Sequence, residues 1–89
     1  MTTRYAIILS KHAREKFDKL IHANRKIGEQ IAKALDRLAL NPHLGDFLKG
    51  DWQGYRKYRS GNYRIVYRVE HHQLIVYIIT IDDRKDVYR

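Results

Sequence analysis

Apolar and polar positions alternate along this chain with two different periods, and the change of period divides it. Arg4 to Leu9 (RYAIIL) is a short apolar run that reads as a first strand. Ser10 then suits the N-cap of a helix reaching about His22, because Ala13, Phe17, Leu20 and Ile21 recur at helical spacing. Asn24 marks a tight connection. A second helix is predicted from Arg25 to Leu40, with Ile27, Ile31, Leu35 and Leu38 on one face, and Asn41-Pro42 stops it. The two helices read as a hairpin with one shared apolar side.

From Tyr55 onward the period becomes that of strands. Tyr55–Arg59, Tyr63–Val69 and Leu74–Ile81 are rich in β-branched and aromatic residues. Gly61-Asn62 is a two-residue hairpin turn, and His71-His72 fills the next one. His43–Gly54 has no period and reads as a loop, which Leu44, Phe47, Leu48 and Trp52 are expected to pin to the core. The order is β-α-α-β-β-β. It predicts a single α+β domain over residues 1–89, with a helical hairpin packed on one face of a mainly antiparallel four-stranded sheet.

This pattern fixes which side chains share a face. If Ser60 faces Tyr63, then Arg59 faces Arg64 and Lys57 faces Val66. Tyr55, Lys57, Arg59, Arg64 and Arg68 then lie on the open face, and Tyr58, Ile65, Tyr67 and Val69 face the helices. Arg56 falls on the helix side, where it must sit at an edge or snorkel. If Glu70 faces Gln73, Val76 and Ile78 point to the helices, while Ile75, Tyr77 and Ile79 form an apolar strip beside the cations.

Composition sharpens this picture. The net charge of +8 favours a polyanion as partner, nucleic acid before an anionic membrane surface. The chain has no cysteine, which excludes a disulfide framework and a thiolate metal site and is compatible with a reducing cytoplasm. No segment approaches the roughly 20 apolar residues of a membrane span. Trp52 to Val69 carries no acid but holds Arg56, Lys57, Arg59, Arg64 and Arg68, interleaved with tyrosines. Guanidinium groups bind phosphate bidentately and tyrosines stack on unpaired bases, so RNA is the expected ligand.

RNA can be cut without metal or cofactor when its 2′-hydroxyl attacks the adjacent phosphate. That reaction needs a base, positive charge for the phosphorane and an acid for the leaving oxygen. His12, His22 and His43 show no relation to the cationic face in the sequence, and His71 and His72 read as turn residues, not metal ligands. Tyr88 is an alternative base if nearby arginines favour its anion. It reads equally well as an aromatic cover on the sheet.

The run Lys57-Tyr58-Arg59-Ser60-Gly61-Asn62-Tyr63-Arg64-Ile65-Val66-Tyr67, followed by Asp83-Arg84-Lys85-Asp86-Val87-Tyr88, resembles the signature of RelE toxins in the RelE/ParE superfamily. The pattern is basic-x-Arg-x-Gly-x-Tyr-Arg-x-x-Tyr, then Arg-x-x-x-Tyr. The resemblance spans the chain and implies a ribosome-dependent endoribonuclease that cuts mRNA in the A site of the 70S ribosome. It further implies neutralisation by an acidic, RelB-like antitoxin. It assigns Arg64 to the scissile phosphate, Arg84 to the transition state or leaving group, Tyr88 to the 2′-hydroxyl and Lys57 to added charge, with Arg59 at another basic position. Some members carry a lysine where this chain has Tyr55. Lys49, Arg56 or Arg59 then supplies the charge, or cleavage is weaker. The strip Ile75, Tyr77 and Ile79 suits an acidic amphipathic antitoxin segment. Two other readings stay open: a toxin of the same fold that poisons DNA gyrase, and a non-catalytic RNA-binding module.

Overall fold

The computed structural model describes residues 3–83 of the chain. Strand β1 (Ala6–Leu9) leads into helices α1 (Lys11–Ala23) and α2 (Arg25–Leu40). Then come β2 (Asp46–Phe47), a short 3₁₀ turn (Gly50–Trp52), β3 (Arg56–Ser60), β4 (Tyr63–Glu70) and β5 (Ile75–Asp83). The sheet order is β1-β5-β4-β3-β2. Among the described residues only the β1–β5 pair is parallel, and both helices lie against one face. No helix of the described residues is long and apolar enough to cross a membrane.

The helix boundaries follow from their caps. The Ser10 hydroxyl accepts from the Ala13 N–H at 3.0 Å, as an N-cap should, and donates to the Ile79 carbonyl at 2.7 Å. One hydroxyl thus starts α1 and ties it to β5. Asn24 serves two helices: its N–H closes α1 on the Leu20 carbonyl, and its side chain accepts from Lys26 and Ile27 to open α2. Ala13, Ile31, Leu35 and Leu38 of the helices meet Ile65, Tyr67, Val76, Ile78 and Ile81 of the sheet in one core.

The first hairpin has the register expected from its turn: Ser60 faces Tyr63, Arg59 faces Arg64 and Lys57 faces Val66. Gly61 sits at φ +59° and Asn62 is not left-handed, the signature of a type II′ turn. Three expectations are corrected. The sheet has five strands, because Asp46–Phe47, read as loop, pairs with β3; two residues are too few to show a period. The second turn spans four residues, with Leu74 in a left-handed conformation at φ 57°, so Glu70 pairs Ile75 and not Gln73. That two-residue slip keeps parity, so Val76 and Ile78 still face the core. A bulge between the Val66 and Tyr67 pairings then inserts Ile79 before Thr80 and turns Ile81 inward.

The third correction concerns the loop before β3. Of its four apolar side chains Leu48 is half-buried, but Phe47 is 61% exposed, Trp52 49% and Leu44 42%, so these three do not pin it. The anchor is Tyr67, which is fully buried. Its hydroxyl donates to the Pro42 carbonyl at 2.7 Å and accepts from the Gly45 N–H at 2.8 Å. Gly45 is needed there: a Cβ would lie 2.6 Å from both the Lys57 carbonyl oxygen and the Tyr67 hydroxyl. This clamp lays Asp46 beside Lys57.

Candidate active site

Strand alternation and register gather the open-face cations as expected. Two cross-strand rows form, two residues apart along the strands. One runs Asp46–Lys57–Val66–Thr80 and the next Arg59–Arg64–Asp82. Asp46, Lys57, Arg59 and Arg64 line a pocket of about 310 Å³. Lys57 and Arg59 are exposed, and Arg64 is half-buried between two strands. Like charges directly opposite one another, as Arg59 and Arg64 are, repel. Such a pair is disposed to receive an anion.

The expectation of a face without anions is corrected. The stretch from Trp52 to Val69 is acid-free in sequence but not in space, because Asp46 enters from β2 and Asp82 from β5. Asp46 is the residue that sequence reading missed. It is the first of two residues in an edge pairing too short to show a strand period. His12, read as unrelated to this face, also lies near it: its Nε2 is 3.8 Å from an Asp82 carboxylate oxygen.

The remaining predicted residues divide. Arg56 turns to the helix side, where its guanidinium donates to the Gly45 carbonyl at 2.7 Å and lies 3.8 Å over the Phe47 ring. It also meets His43 Nδ1 at 3.3 Å. That places it away from the pocket, as a brace for the β2 loop. Lys49 lines a separate hollow of about 570 Å³ with Phe47, Leu48, Gly50, Gln53 and Gly54. Tyr55 packs edge-on against Trp52, and Arg68 lies 4.7 Å over the Tyr77 ring. Ile75, Tyr77 and Ile79 are half-buried, and the β1 register adds Ala6 and Ile8 beside Ile75 and Tyr77. Arg84 and Tyr88 lie outside the described residues.

Burial pushes the Tyr67 hydroxyl above the ordinary tyrosine range, against the lowering effect of its Gly45 bond and of Arg56. That phenol is a structural donor and not a proton acceptor for a substrate. No group of three or more potential metal ligands occurs among the described residues.

Comparison with known proteins agrees with the architecture. The family model for the ParE toxin of the type II toxin–antitoxin system parDE matches residues 7–88. A RelE-like toxin protein of Escherichia coli is 33% identical over 89 residues, covering 96% of this chain and 90% of that protein. Among solved structures, the RelBE2 toxin–antitoxin complex of Mycobacterium tuberculosis superposes with a TM-score of 0.82 at 24% identity, over 94% of this chain and 95% of that one. The isolated E. coli RelE toxin gives 0.75 at 23% identity, over 89% and 83%. The YoeB dimer of Staphylococcus aureus gives 0.72 at 25% identity, over 86% and 93%. The chain therefore belongs to the RelE/ParE superfamily of type II toxins.

Proposed function

We propose that this toxin is a metal-independent endoribonuclease that cuts mRNA in the ribosomal A site. The observation that carries the reading is the pocket of Asp46, Lys57, Arg59 and Arg64. Three cations converge where a phosphodiester would sit, and one carboxylate stands among them. Of these four side chains only Asp46 can accept a proton. In this reading Asp46 takes the 2′-hydroxyl proton as that oxygen attacks phosphorus. Arg64, Arg59 and Lys57 hold the charge that develops on the phosphorane oxygens. The P–O5′ bond breaks, leaving a 2′,3′-cyclic phosphate and a 5′-hydroxyl whose proton comes from a general acid. The family resemblance offers Arg84 for the leaving group and Tyr88 for orienting or deprotonating the 2′-hydroxyl. Asp46 and Tyr88 are thus competing candidates for the base.

The absence of a lysine at Tyr55 is compatible with this reading, since Arg59 already stands opposite Arg64. The partner is an acidic, RelB-like antitoxin lying on the strip of Ile75, Tyr77 and Ile79. Solved relatives such as RelBE2 are toxin–antitoxin complexes, which supports such a partner.

Primer extension on translated mRNA tests the reading. Wild type should leave discrete cuts, while Arg64→Ala, Asp46→Asn and Arg84→Ala should each slow cleavage by about 100-fold or more. If the message stays intact while growth still stops, the nuclease reading fails. The match to the ParE model favours a second reading, inhibition of DNA gyrase. Loss of supercoiling activity at stoichiometric toxin would select it.

A further inference from the structure

Asp82 occupies an unusual place. It stands directly opposite Arg64 across the β4–β5 pair, on the same face as the pocket. Side chains so paired have Cβ atoms roughly 5 Å apart, so a rotamer change brings carboxylate and guanidinium into contact. Yet among the described residues Arg64 makes no ion pair. Its Nε is buried without a hydrogen-bond partner, and so is the Thr80 hydroxyl two residues before Asp82. No hydrogen bond through either atom fixes the Arg64 side chain to β5. The Asp82 carboxylate is turned instead toward His12 at 3.8 Å, a residue of the first turn of α1. Ser10 holds that turn against β5 through the Ile79 carbonyl.

We infer that Asp82 is an internal competitor for Arg64, and that the protonation of His12 decides how strongly it competes. The inference rests on the reading of Arg64 as a phosphate ligand and names a control on it. When His12 is neutral, the cation that stands opposite Asp82 among the described residues is Arg64, and a paired Arg64 binds phosphate less well. When His12 is protonated, it holds the carboxylate at the edge of the sheet and leaves Arg64 to the RNA. Histidine is the side chain that makes this change between about pH 5 and 8.

The surroundings of His12 are mixed in charge. On α1, Lys11, Arg14, Glu15 and Lys16 lie within a turn or so of it. Against α1 pack β1, α2 and β5. Strand β1 carries no charge, and β5 carries Asp82 and Asp83. Helix α2 carries Arg25, Lys26, Glu29, Lys33, Asp36 and Arg37, with Glu29 taken by Arg25 and Asp36 by Arg4. The acid that His12 meets on β5 is Asp82, at 3.8 Å.

The test is binding of the full chain to a short single-stranded RNA whose riboses are 2′-O-methylated, so that it cannot be cut. Anisotropy is read at about pH 5.5 and about pH 8, the two sides of the histidine range. The gain in affinity from the higher to the lower pH should be about threefold larger for wild type than for His12→Gln, a size fitting one exposed pair. His12→Lys should bind tightly at both. Asp82→Asn should do the same, and His12→Gln added to it should change nothing further. The inference is overturned if His12→Gln keeps the full pH response. It is equally overturned if His12→Gln loses that response to the same extent in the Asp82→Asn background, because His12 would then act on the RNA directly. Arg64→Ala separates the two levels. If it leaves affinity unchanged, the phosphate site and this control fall together; if it weakens binding while His12→Gln behaves as wild type, the control alone falls.

Discussion

Arg56 and Arg59 are three residues apart on β3 and point to opposite faces. Arg56 is committed: it bonds the Gly45 carbonyl, meets His43 and covers the Phe47 ring. Arg59 is exposed, lines the pocket and stands opposite another arginine. The same contrast runs through the whole β3–β4 hairpin. Its helix face spends polar groups on architecture, with Tyr67 clamping the β2 loop. On its open face Lys57, Arg59 and Arg64 form no ion pair among the described residues. A basic residue therefore has no role until its face is known, and strand parity assigns the face.

The largest test of this division falls on the open face. Arg64→Ala and Asp46→Asn should each reduce cleavage by about 100-fold or more while leaving the urea midpoint nearly unchanged. A large loss of stability would mean that these residues belong to the architecture. Next comes the helix face. Tyr67→Phe leaves the Gly45 N–H and the Pro42 carbonyl unpaired in a buried place, and should cost about 1–3 kcal/mol in urea denaturation. Cleavage should fall as well, because β2 is what carries Asp46.

The two arginines give a smaller and more direct contrast. Arg56→Ala should cost about 1 kcal/mol of stability and leave the salt dependence of RNA binding as it is. Arg59→Ala should lower the slope of log affinity against log salt by about 0.7 per lost phosphate contact on single-stranded RNA. Its stability should hold or rise as repulsion from Arg64 is relieved. If the two variants behave alike, the faces do not divide the labour.

The smallest effect is alkaline. Burial raises the Tyr67 pKa, so its contribution is complete below the ordinary tyrosine value of about 10 and is lost as pH rises through the higher folded value. The stability gap between wild type and Tyr67→Phe should therefore stay constant up to about pH 10 and narrow only above it, measured by urea denaturation. A gap that stays constant would count against ionisation of a buried phenol.

Much of this was legible in the sequence. Ser10, Asn24 and Pro42 delimit the helices through local chemistry, and Gly61-Asn62 sets a turn whose register carries over to Lys57, Arg59 and Arg64. The failures share a cause, which is contact between segments far apart in the chain. Asp46 reaches the pocket through two residues of pairing and a clamp from Tyr67, twenty-one positions on. His12 reaches Asp82 only because β1 stops at Leu9 and α1 starts beside the second half of β5. The bulge at Ile79 and the left-handed Leu74 have no residue type that announces them.

The brevity of β2 has a consequence for how these molecules meet each other. It pairs with Lys57 and Arg56, and among the described residues no strand pairs with the outer edge of Tyr58–Ser60. An exposed ladder of this kind invites a second chain to add a strand, the first step toward aggregation. Here the edge is three residues long, closes at the Gly61 turn and carries Arg59 beside Lys57. Two copies approaching edge to edge would bring these cations together. The same exposed charge would thus oppose the joining of copies through their sheets.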